Sequence, residues 1–208
     1  MQNAPTSKSL KIGDYRVKSA PTGVFALDGD AMFGTVPKVL WEKTNPADSQ
    51  NRIQMEARTL LLLGEKHKVL IDTGIGSDFV EKYGDRLGPK FAEMYAIDRS
   101  QNSIAKTLAD NGLSPNDITD VILTHLHFDH AGGATKWDGK KLVPSYPNAQ
   151  YYVQKKNLET ARHPNVREKA SYFSANFEPL LEAGCLNLLD GNKQDLLPGV
   201  SVELSHGH

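Results

Sequence analysis

Short apolar runs alternate along this chain with segments whose apolar residues recur at helical spacing. Strands are predicted where apolar runs lie between turn residues, at Tyr15–Ala20, Thr22–Leu27, Ala57–Leu63, Lys68–Thr73, Val121–Leu123, Ala149–Val153, Leu186–Asp190 and Val200–Leu204. Helices are predicted at Ser103–Asn111, Lys155–Arg162 and Asn176–Ala183. This alternation indicates the α/β fold class, with helices covering the faces of a sheet.

The segments between these elements carry weaker patterns. Residues 1–14 are polar and are predicted to form a flexible N-terminal tail, with the folded domain at 15–208. Residues 28–51 contain several glycines and prolines and are too long for a hairpin turn, which favours a functional or covering loop. Residues 76–95 mix glycine, aspartate and aromatic residues and favour no single element.

Composition narrows the function classes. The chain has 208 residues, enough for one domain of ordinary size or two small ones. Lys plus Arg (24) nearly balance Asp plus Glu (25), so no overall positive field favours nucleic acid. No apolar window approaches the ~18–20 residues of a membrane helix. The single cysteine, Cys185, and the absence of an apolar leader fit a cytoplasmic protein.

The most informative segment is DVILTHLHFDHAGG, in which four side chains of metal-ligand type follow a short apolar strand. In extended backbone, His125, His127 and Asp129 would point to one side and His130 elsewhere. Two neighbouring cations satisfy this arrangement, with His125 and His127 on the first and Asp129 and His130 on the second. Imidazole and carboxylate donors suit Zn²⁺, with Mn, Fe or Co as alternatives. A solvent-exposed histidine-rich loop accounts less well for this spacing.

Three motifs together resemble the metallo-β-lactamase superfamily. HxHxDH after an apolar strand resembles its signature, VLIDTGIG (Val69–Gly76) resembles its upstream motif, and SHGH (Ser205–His208) resembles the start of its next motif. The resemblance implies an αβ/βα sandwich, with Asp72 near the metals and His208 as the third histidine of the first metal. Family members continue with a second αβ half that supplies further ligands. We therefore expect this chain to be the N-terminal part of the fold, C-terminally incomplete.

A finer resemblance is to the branch of N-acyl-homoserine lactonases and methyl-parathion-hydrolase-like enzymes. HLHFDHAGG and Asp30–Trp41 carry it. It implies a hydrolase with two zinc ions, whose metal-bound hydroxide opens a lactone or cleaves an ester of a small molecule. Asp129 would be catalytic, because it would hold the second cation and orient the hydroxide. The alternatives are a thioester hydrolase resembling glyoxalase II, a nuclease, which the near-neutral charge disfavours, and an inactive metal-binding fragment.

Several roles stay open at this stage. Asp72 either supports a ligand histidine from behind or caps a turn at Thr73 and Gly74, and Thr124 is either a hydrogen-bonding neighbour of the ligands or an ordinary strand residue. Strand parity does not exclude His206 as a ligand, although the family motif favours His208.

The long loop also has two interpretations. Its side chains Met32, Phe33 and Trp41 either line an apolar pocket for substrate or anchor the loop. The resemblance suggests that a homodimer is one assembly this chain can form, with residues 28–51 as the candidate interface.

Overall fold

The computed structural model describes residues 9–98 and 104–205. Its strands are β1 (Ser9–Ile12), β2 (Tyr15–Asp28), β3 (Arg52–Leu63), β4 (Lys68–Ile71), β5 (Asp120–Ile122), β6 (Thr135–Trp137), β7 (Leu142–Pro144), β8 (Gln150–Gln154), β9 (Leu186–Leu189), β10 (Lys193–Leu197) and β11 (Val200–Val202). Its α-helices are α1 (Gly29–Phe33), α2 (Lys38–Trp41), α3 (Phe79–Met94), α4 (Ala105–Ala109), α5 (Phe128–Ala131), α6 (Lys155–Arg162) and α7 (Glu178–Glu182). None of these described helices is long and apolar enough to span a bilayer.

One mixed sheet organises the chain. Its strand order is β1-β2-β3-β4-β5-β8-β9, antiparallel from β1 to β4 and parallel from β4 to β9. Two hairpins, β6–β7 and β10–β11, lie outside it. The sheet confirms the predicted α/β class, and the predicted strands Ala57–Leu63 and Lys68–Thr73 fall on β3 and β4, which pair antiparallel. Because β4, β5 and β8 run parallel, the loops that follow them meet at one edge of the sheet.

Both faces of the central strands are buried. Along β3, β4 and β5, Leu61, Leu70 and Val121 pack into one apolar cluster, while Leu62, Val69 and Ile122 pack into another. The first cluster is covered by residues of α6 and α7, and the second by residues of β10 and β11. Continuous apolar runs are typical of strands that are buried on both sides, which explains why these runs lack polar alternation.

Several sequence predictions are corrected by the structure. Residues 9–12, assigned to the flexible tail, form edge strand β1 paired with β2. The two strands predicted between residues 15 and 27 are one strand, and the pairing register shifts between Pro21 and Gly23. Pro21 has no backbone N–H to donate to the neighbouring strand, so the ladder is interrupted there. The break in the apolar pattern at this residue therefore marks a β-bulge within one strand and not the end of a strand.

The two segments without predicted elements are helical in part. Residues 28–51 contain α1 and α2, and Phe33 stacks on Trp41 with ring centroids 5.2 Å apart. Trp41 is buried, so the interpretation of this pair as a loop anchor is the one the contacts support. Residues 79–94 form α3, which is kinked at Gly84 (φ 79°). The kink breaks the helical period, which hid the helix in the sequence.

Replacing Tyr151 by Phe should destabilise the fold by about 1–3 kcal/mol, because a buried donor loses its partner. The Tyr151 hydroxyl is buried, accepts from the backbone N–H of Tyr146 at 3.0 Å and donates to the carbonyl of Ala134 at 3.1 Å. The measurement is urea unfolding. Tyr152→Phe is the control, since the Tyr152 hydroxyl makes only a 3.3 Å contact with Asp120. Equal losses in the two variants would contradict the prediction.

Candidate metal site

The two motifs that the sequence analysis singled out lie side by side in the structure. DTGIG follows β4 and HLHFDH follows β5, so both leave the sheet at the same edge. The backbone N–H of Asp72 donates to the carbonyl of Ile122 at 2.9 Å, which continues the pairing by one residue. The loops are therefore positioned by the parallel register of two buried strands.

The HLHFDH backbone turns into a helix at Phe128, because α5 begins there with His127 at its N-terminal cap. The ring centroids of His125 and His127 are 4.6 Å apart, and those of His125 and His130 are 4.0 Å apart. His130 Nε2 lies 3.4 Å from Asp129 Oδ2. The expectation from strand parity that His130 would point elsewhere is wrong, since the helical turn returns its ring to His125.

Asp72 joins the two loops through its buried carboxylate, which is 7% exposed. It accepts from the backbone N–H of Thr124 at 2.8 Å and from the Thr124 hydroxyl at 2.9 Å. His130 Nδ1 lies 2.8 Å from Oδ2 of the same carboxylate, the oxygen that also accepts from the Thr124 hydroxyl. These contacts support the first of the two interpretations of Asp72, that of a residue holding a candidate ligand from behind.

Thr124 extends this network to His125, whose Nδ1 is 3.0 Å from the threonine hydroxyl oxygen. The hydroxyl has one proton, and it donates that proton to Asp72. Towards His125 it can therefore only accept, which places the proton of that imidazole on Nδ1. The same reasoning places a proton on Nδ1 of His130, since an ionised carboxylate only accepts. Each ring then offers Nε2 as the nitrogen with the lone pair.

The electrostatics around His130 follow from these neighbours. Burial lowers the pKa of His130, but the hydrogen bond to Asp72 and the negative charges of Asp129 and Asp72 outweigh it, so the net pKa is raised. Tyr95, which packs against Phe128, has its pKa raised by burial and by the charge of Asp129. The site thus concentrates negative charge, which favours cations.

Glycines let the two loops pack backbone to backbone. The N–H of Gly133 donates to the carbonyl of Gly74 at 2.8 Å, and that of Thr73 to the carbonyl of His130 at 2.7 Å. A Cβ at Gly132 would lie 2.2 Å from the carbonyl oxygen of Ile75, and one at Gly133 2.3 Å from that of Thr73. Close approach, more than a tight turn, is therefore what requires glycine at these two positions.

An aromatic cluster supports α5 from below. The Phe128 ring is buried, with centroids 4.9 Å from Phe91 and 4.6 Å from Tyr95. Phe25 and Phe173 complete the contacts at 6.3 Å each. The sequence analysis missed this support because the rings come from β2, from α3 and from a distant loop. The one local indication of this aromatic cluster in the sequence is Phe128 itself, an apolar residue among the polar side chains of HLHFDH.

A cavity of about 650 Å³ opens beside His125 and His127, above the ends of β4, β5 and β9. Tyr172 forms part of its wall, with its ring centroid 4.6 Å from that of His127. An isolated β-bridge also pairs the backbones of these two residues. Tyr172 was not predicted from the sequence, since 45 positions separate it from His127 and no motif surrounds it.

A buried lysine at the far end of α5 was also missed. The side chain of Lys82 is 0% exposed, and its Nζ lies 3.4 Å from Asp78 Oδ1. It donates a hydrogen bond to the carbonyl of Gly132, the residue that caps α5. Burial lowers the pKa of Lys82 to about 8, although the Asp78 carboxylate opposes the shift. In the sequence, Lys82 reads as an ordinary surface lysine.

The donor set fits a divalent metal in its chemistry. Imidazole and carboxylate groups are zinc ligands, and in His125 and His130 the proton on Nδ1 leaves the lone pair on Nε2. Within residues 9–98 and 104–205, no group of three or more His, Cys, Asp or Glu side chains is arranged to hold an ion. The described part supplies two adjoining pairs of donors. The predicted ligand His208 and its neighbour His206 lie outside the described residues.

Comparison with known proteins agrees with these motifs. The family model for the metallo-beta-lactamase superfamily matches residues 57–208. Over 150 residues the chain is 29% identical to the N-acyl homoserine lactonase AiiA of Bacillus thuringiensis subsp. kurstaki, covering 71% of this chain and 52% of that protein. It is 30% identical over 98 residues to the N-acyl homoserine lactonase AiiB of Agrobacterium fabrum, covering 47% of this chain and 36% of that protein. The chain spans about half the length of the AiiA relative.

Solved structures show the same fold. A probable metal-dependent hydrolase from Staphylococcus aureus superposes with a TM-score of 0.78 at 32% identity, covering 92% of this chain and 64% of that one. AidC, a dizinc quorum-quenching lactonase, superposes with a TM-score of 0.62 at 22% identity, covering 90% of this chain and 62% of that one. The second likeness extends to the fold alone.

Thr124→Val should lower the free energy of unfolding by about 1–2 kcal/mol, because the Asp72 carboxylate and His125 Nδ1 both lose a hydrogen-bond partner. Urea unfolding measures the loss, and ¹⁵N NMR of the imidazoles should show His125 no longer held as the Nδ1–H tautomer. Thr124→Ser keeps the hydroxyl and is the matched control. A valine variant with the tautomer and stability of the serine variant would contradict the assigned network.

The pKa of Lys82 predicts a pH-dependent stability. Its folded pKa of about 8 is below the unfolded value of 10.5, so between these values the unfolded chain binds more protons. The free energy of unfolding should therefore rise from pH 7 to pH 10, by about 2 kcal/mol from this group. The measurement is the difference between the pH profiles of the unmodified chain and Lys82→Met. Parallel profiles would contradict the predicted shift.

Proposed function

This chain belongs to the metallo-beta-lactamase superfamily, and we propose that it acts as a metal-dependent hydrolase that opens a lactone or cleaves an ester of a small molecule. The observation that carries the proposal is the convergence of His125, His127 and His130 beside Asp129, with Asp72 and Thr124 holding two of the rings in one tautomer. The lactonase relatives and the 32% identical hydrolase support the reaction class.

We assign the ligands as two sets. His125 and His127, together with His208, would hold one ion, and Asp129 and His130 would hold the second. Zinc suits these donors, with Mn, Fe or Co as alternatives. When bound, such ions lower the pKa of water to about 7 and polarise a carbonyl group.

The chain's own residues would prepare this chemistry. Thr124 and Asp72 hold the protons of His125 and His130 on Nδ1, so that Nε2 of each ring would be the nitrogen that binds a cation. Asp129 would orient the attacking water through its carboxylate. Phe128 anchors the helical turn in its aromatic cluster, which keeps the adjoining Asp129 in place.

The cavity beside His125 and His127 is the proposed substrate site. Its floor is apolar, with Ile71, Ile122 and Leu189 at the strand ends, and its rim carries polar side chains of α6. A small ester or lactone with an apolar substituent fits such a lining. A net charge of −1 gives no support to a nucleic-acid substrate.

We also propose a homodimer through residues 28–51. Four large apolar side chains on or beside α1 and α2 are exposed, and they support an interface: Met32, Val36, Val39 and Leu40. The proposal predicts a dimer in sedimentation measurements, and Val39→Asp, at a position 71% exposed, should shift it to monomer.

The test of the hydrolase proposal measures zinc content and turnover of N-hexanoyl homoserine lactone and of a glutathione thioester by the same chain. Loss of a residue that hydrogen-bonds to a metal ligand typically lowers metal affinity ~10–100-fold. Because His127 is a proposed ligand itself, His127→Ala should lower zinc affinity by at least that factor and should abolish turnover. His163→Ala is the matched control, because His163 is exposed at the end of α6.

Each outcome has a distinct meaning. Lactone turnover that depends on His127 supports the proposal, and preferred turnover of the thioester favours the reaction of glyoxalase II. Zinc binding without turnover identifies a metal-binding module. Unchanged zinc content and turnover in His127→Ala would show that the ligand assignment is wrong.

A further inference from the structure

Lys82 lies where a charged side chain is costly. Its side chain, on α3, is 0% exposed, and its ammonium group contacts Asp78 and the carbonyl of Gly132 at the end of α5. Desolvating an ammonium ion is expensive unless hydrogen bonds and an opposite charge compensate it. The pKa of about 8 shows that burial here outweighs the attraction of Asp78. An ordinary surface role for this lysine is therefore ruled out by its position.

The contacts of Lys82 and of its partner Asp78 join three different segments. Its ammonium donates to the carbonyl of Gly132, at the end of α5, and lies 3.4 Å from the carboxylate of Asp78, at the start of α3. The second oxygen of Asp78 accepts from the backbone N–H of Trp137 in β6 at 2.6 Å. The Lys82–Asp78 ion pair thus connects the start of α3, which follows DTGIG, to the end of α5 and to β6, which follow HLHFDH.

The hydrogen bond from Lys82 to the Gly132 carbonyl is the contact that connects this ion pair to the candidate metal site. Gly132 is the C-terminal cap of α5 and the first residue of the 3-10 helix Gly132–Ala134 that follows it. The same four-residue helix carries Asp129 and His130. At its other end, α5 follows His127 and the loop from β5. A shift of Gly132 would therefore move Asp129 and His130 relative to His125.

We propose that Lys82 is a positioning residue, which fixes the carboxyl end of α5 and thereby the placement of Asp129 and His130 relative to His125 and His127. This inference rests on the proposed metal site for its functional meaning. The contacts themselves, a buried ammonium group on the Gly132 carbonyl and on Asp78, do not depend on that proposal.

The competing explanation is that Lys82 contributes only to the overall stability of the fold. The two explanations differ in where the effect of a substitution appears. A general stabilising role changes the exchange of all slowly exchanging amide protons by a common factor. A positioning role changes the amides that join α5 to the DTGIG loop, which are the N–H of Gly133 and the N–H of Thr73.

The experiment compares Lys82→Met with Lys90→Met, a matched change at an exposed position of the same helix. Hydrogen exchange is followed at Gly133 and Thr73 and, as the core reference, at Leu123, whose N–H donates to Tyr152 within the sheet. In Lys82→Met we expect Gly133 and Thr73 to exchange at least about tenfold faster, with Leu123 unchanged. Lys90→Met should alter none of them.

Zinc titration followed by imidazole ¹⁵N NMR adds the functional readout. Lys82→Met should weaken zinc binding at His130 by ~10–100-fold. The loss of zinc affinity at His125 and His127 should be smaller than the loss at His130. Lys82→Gln, whose amide can still donate to the Gly132 carbonyl, should fall between the unmodified chain and Lys82→Met.

The outcomes separate this inference from the proposed function. If the unmodified chain binds no zinc, the metal-site proposal fails, and the exchange measurements still decide the role of Lys82. Equal acceleration at Gly133, Thr73 and Leu123 would overturn the positioning role in favour of general stability. Loss of the folded state in both Lys82 variants would overturn it as well.

Discussion

The carboxylate of Asp72 connects the loop after β4 to the loop after β5, and both motifs depend on it. It is buried, so its charge requires partners, and it finds them in Thr124 and His130. The residue adopts φ 62°, a conformation that aspartate tolerates better than most side chains. Because one group holds both loops, neither can move without breaking buried hydrogen bonds. The orientation of the histidines follows from that constraint.

Around this connection, the short helix α5 is restrained on three sides. Glycines bring its end against the DTGIG backbone, Phe128 is packed among aromatic rings, and Lys82 holds the carbonyl of Gly132. A four-residue helix has little stability of its own, since nucleation costs more than its few hydrogen bonds return. The placement of Asp129 and His130 is thus set by tertiary contacts. This rigidity is what a metal site requires of its donors.

The position of the site follows from the sheet. In α/β proteins, functional groups gather where parallel strands end, because the loops there converge. Here the parallel register of β4, β5 and β8 brings Asp72, His125 and the cavity to one edge. The antiparallel strands β1 to β3 widen the sheet on one side and supply Phe25 to the aromatic cluster. The same architecture therefore explains both the stability of the edge and the space beside it.

The sequence by itself determined the α/β class, the buried strands and the donors of the HLHFDH motif, because apolar periodicity and ligand chemistry are local properties. It did not predict β1, the kinked helix α3 or the return of the His130 ring to His125, which depend on pairing and turning of the backbone. Tyr172 and Lys82 were not predicted either, since more than 40 positions separate each of them from the motif. Only the tertiary structure decided the tautomers of His125 and His130 and the need for glycine at 132 and 133. Those features arise from contacts between distant segments, which no local pattern records.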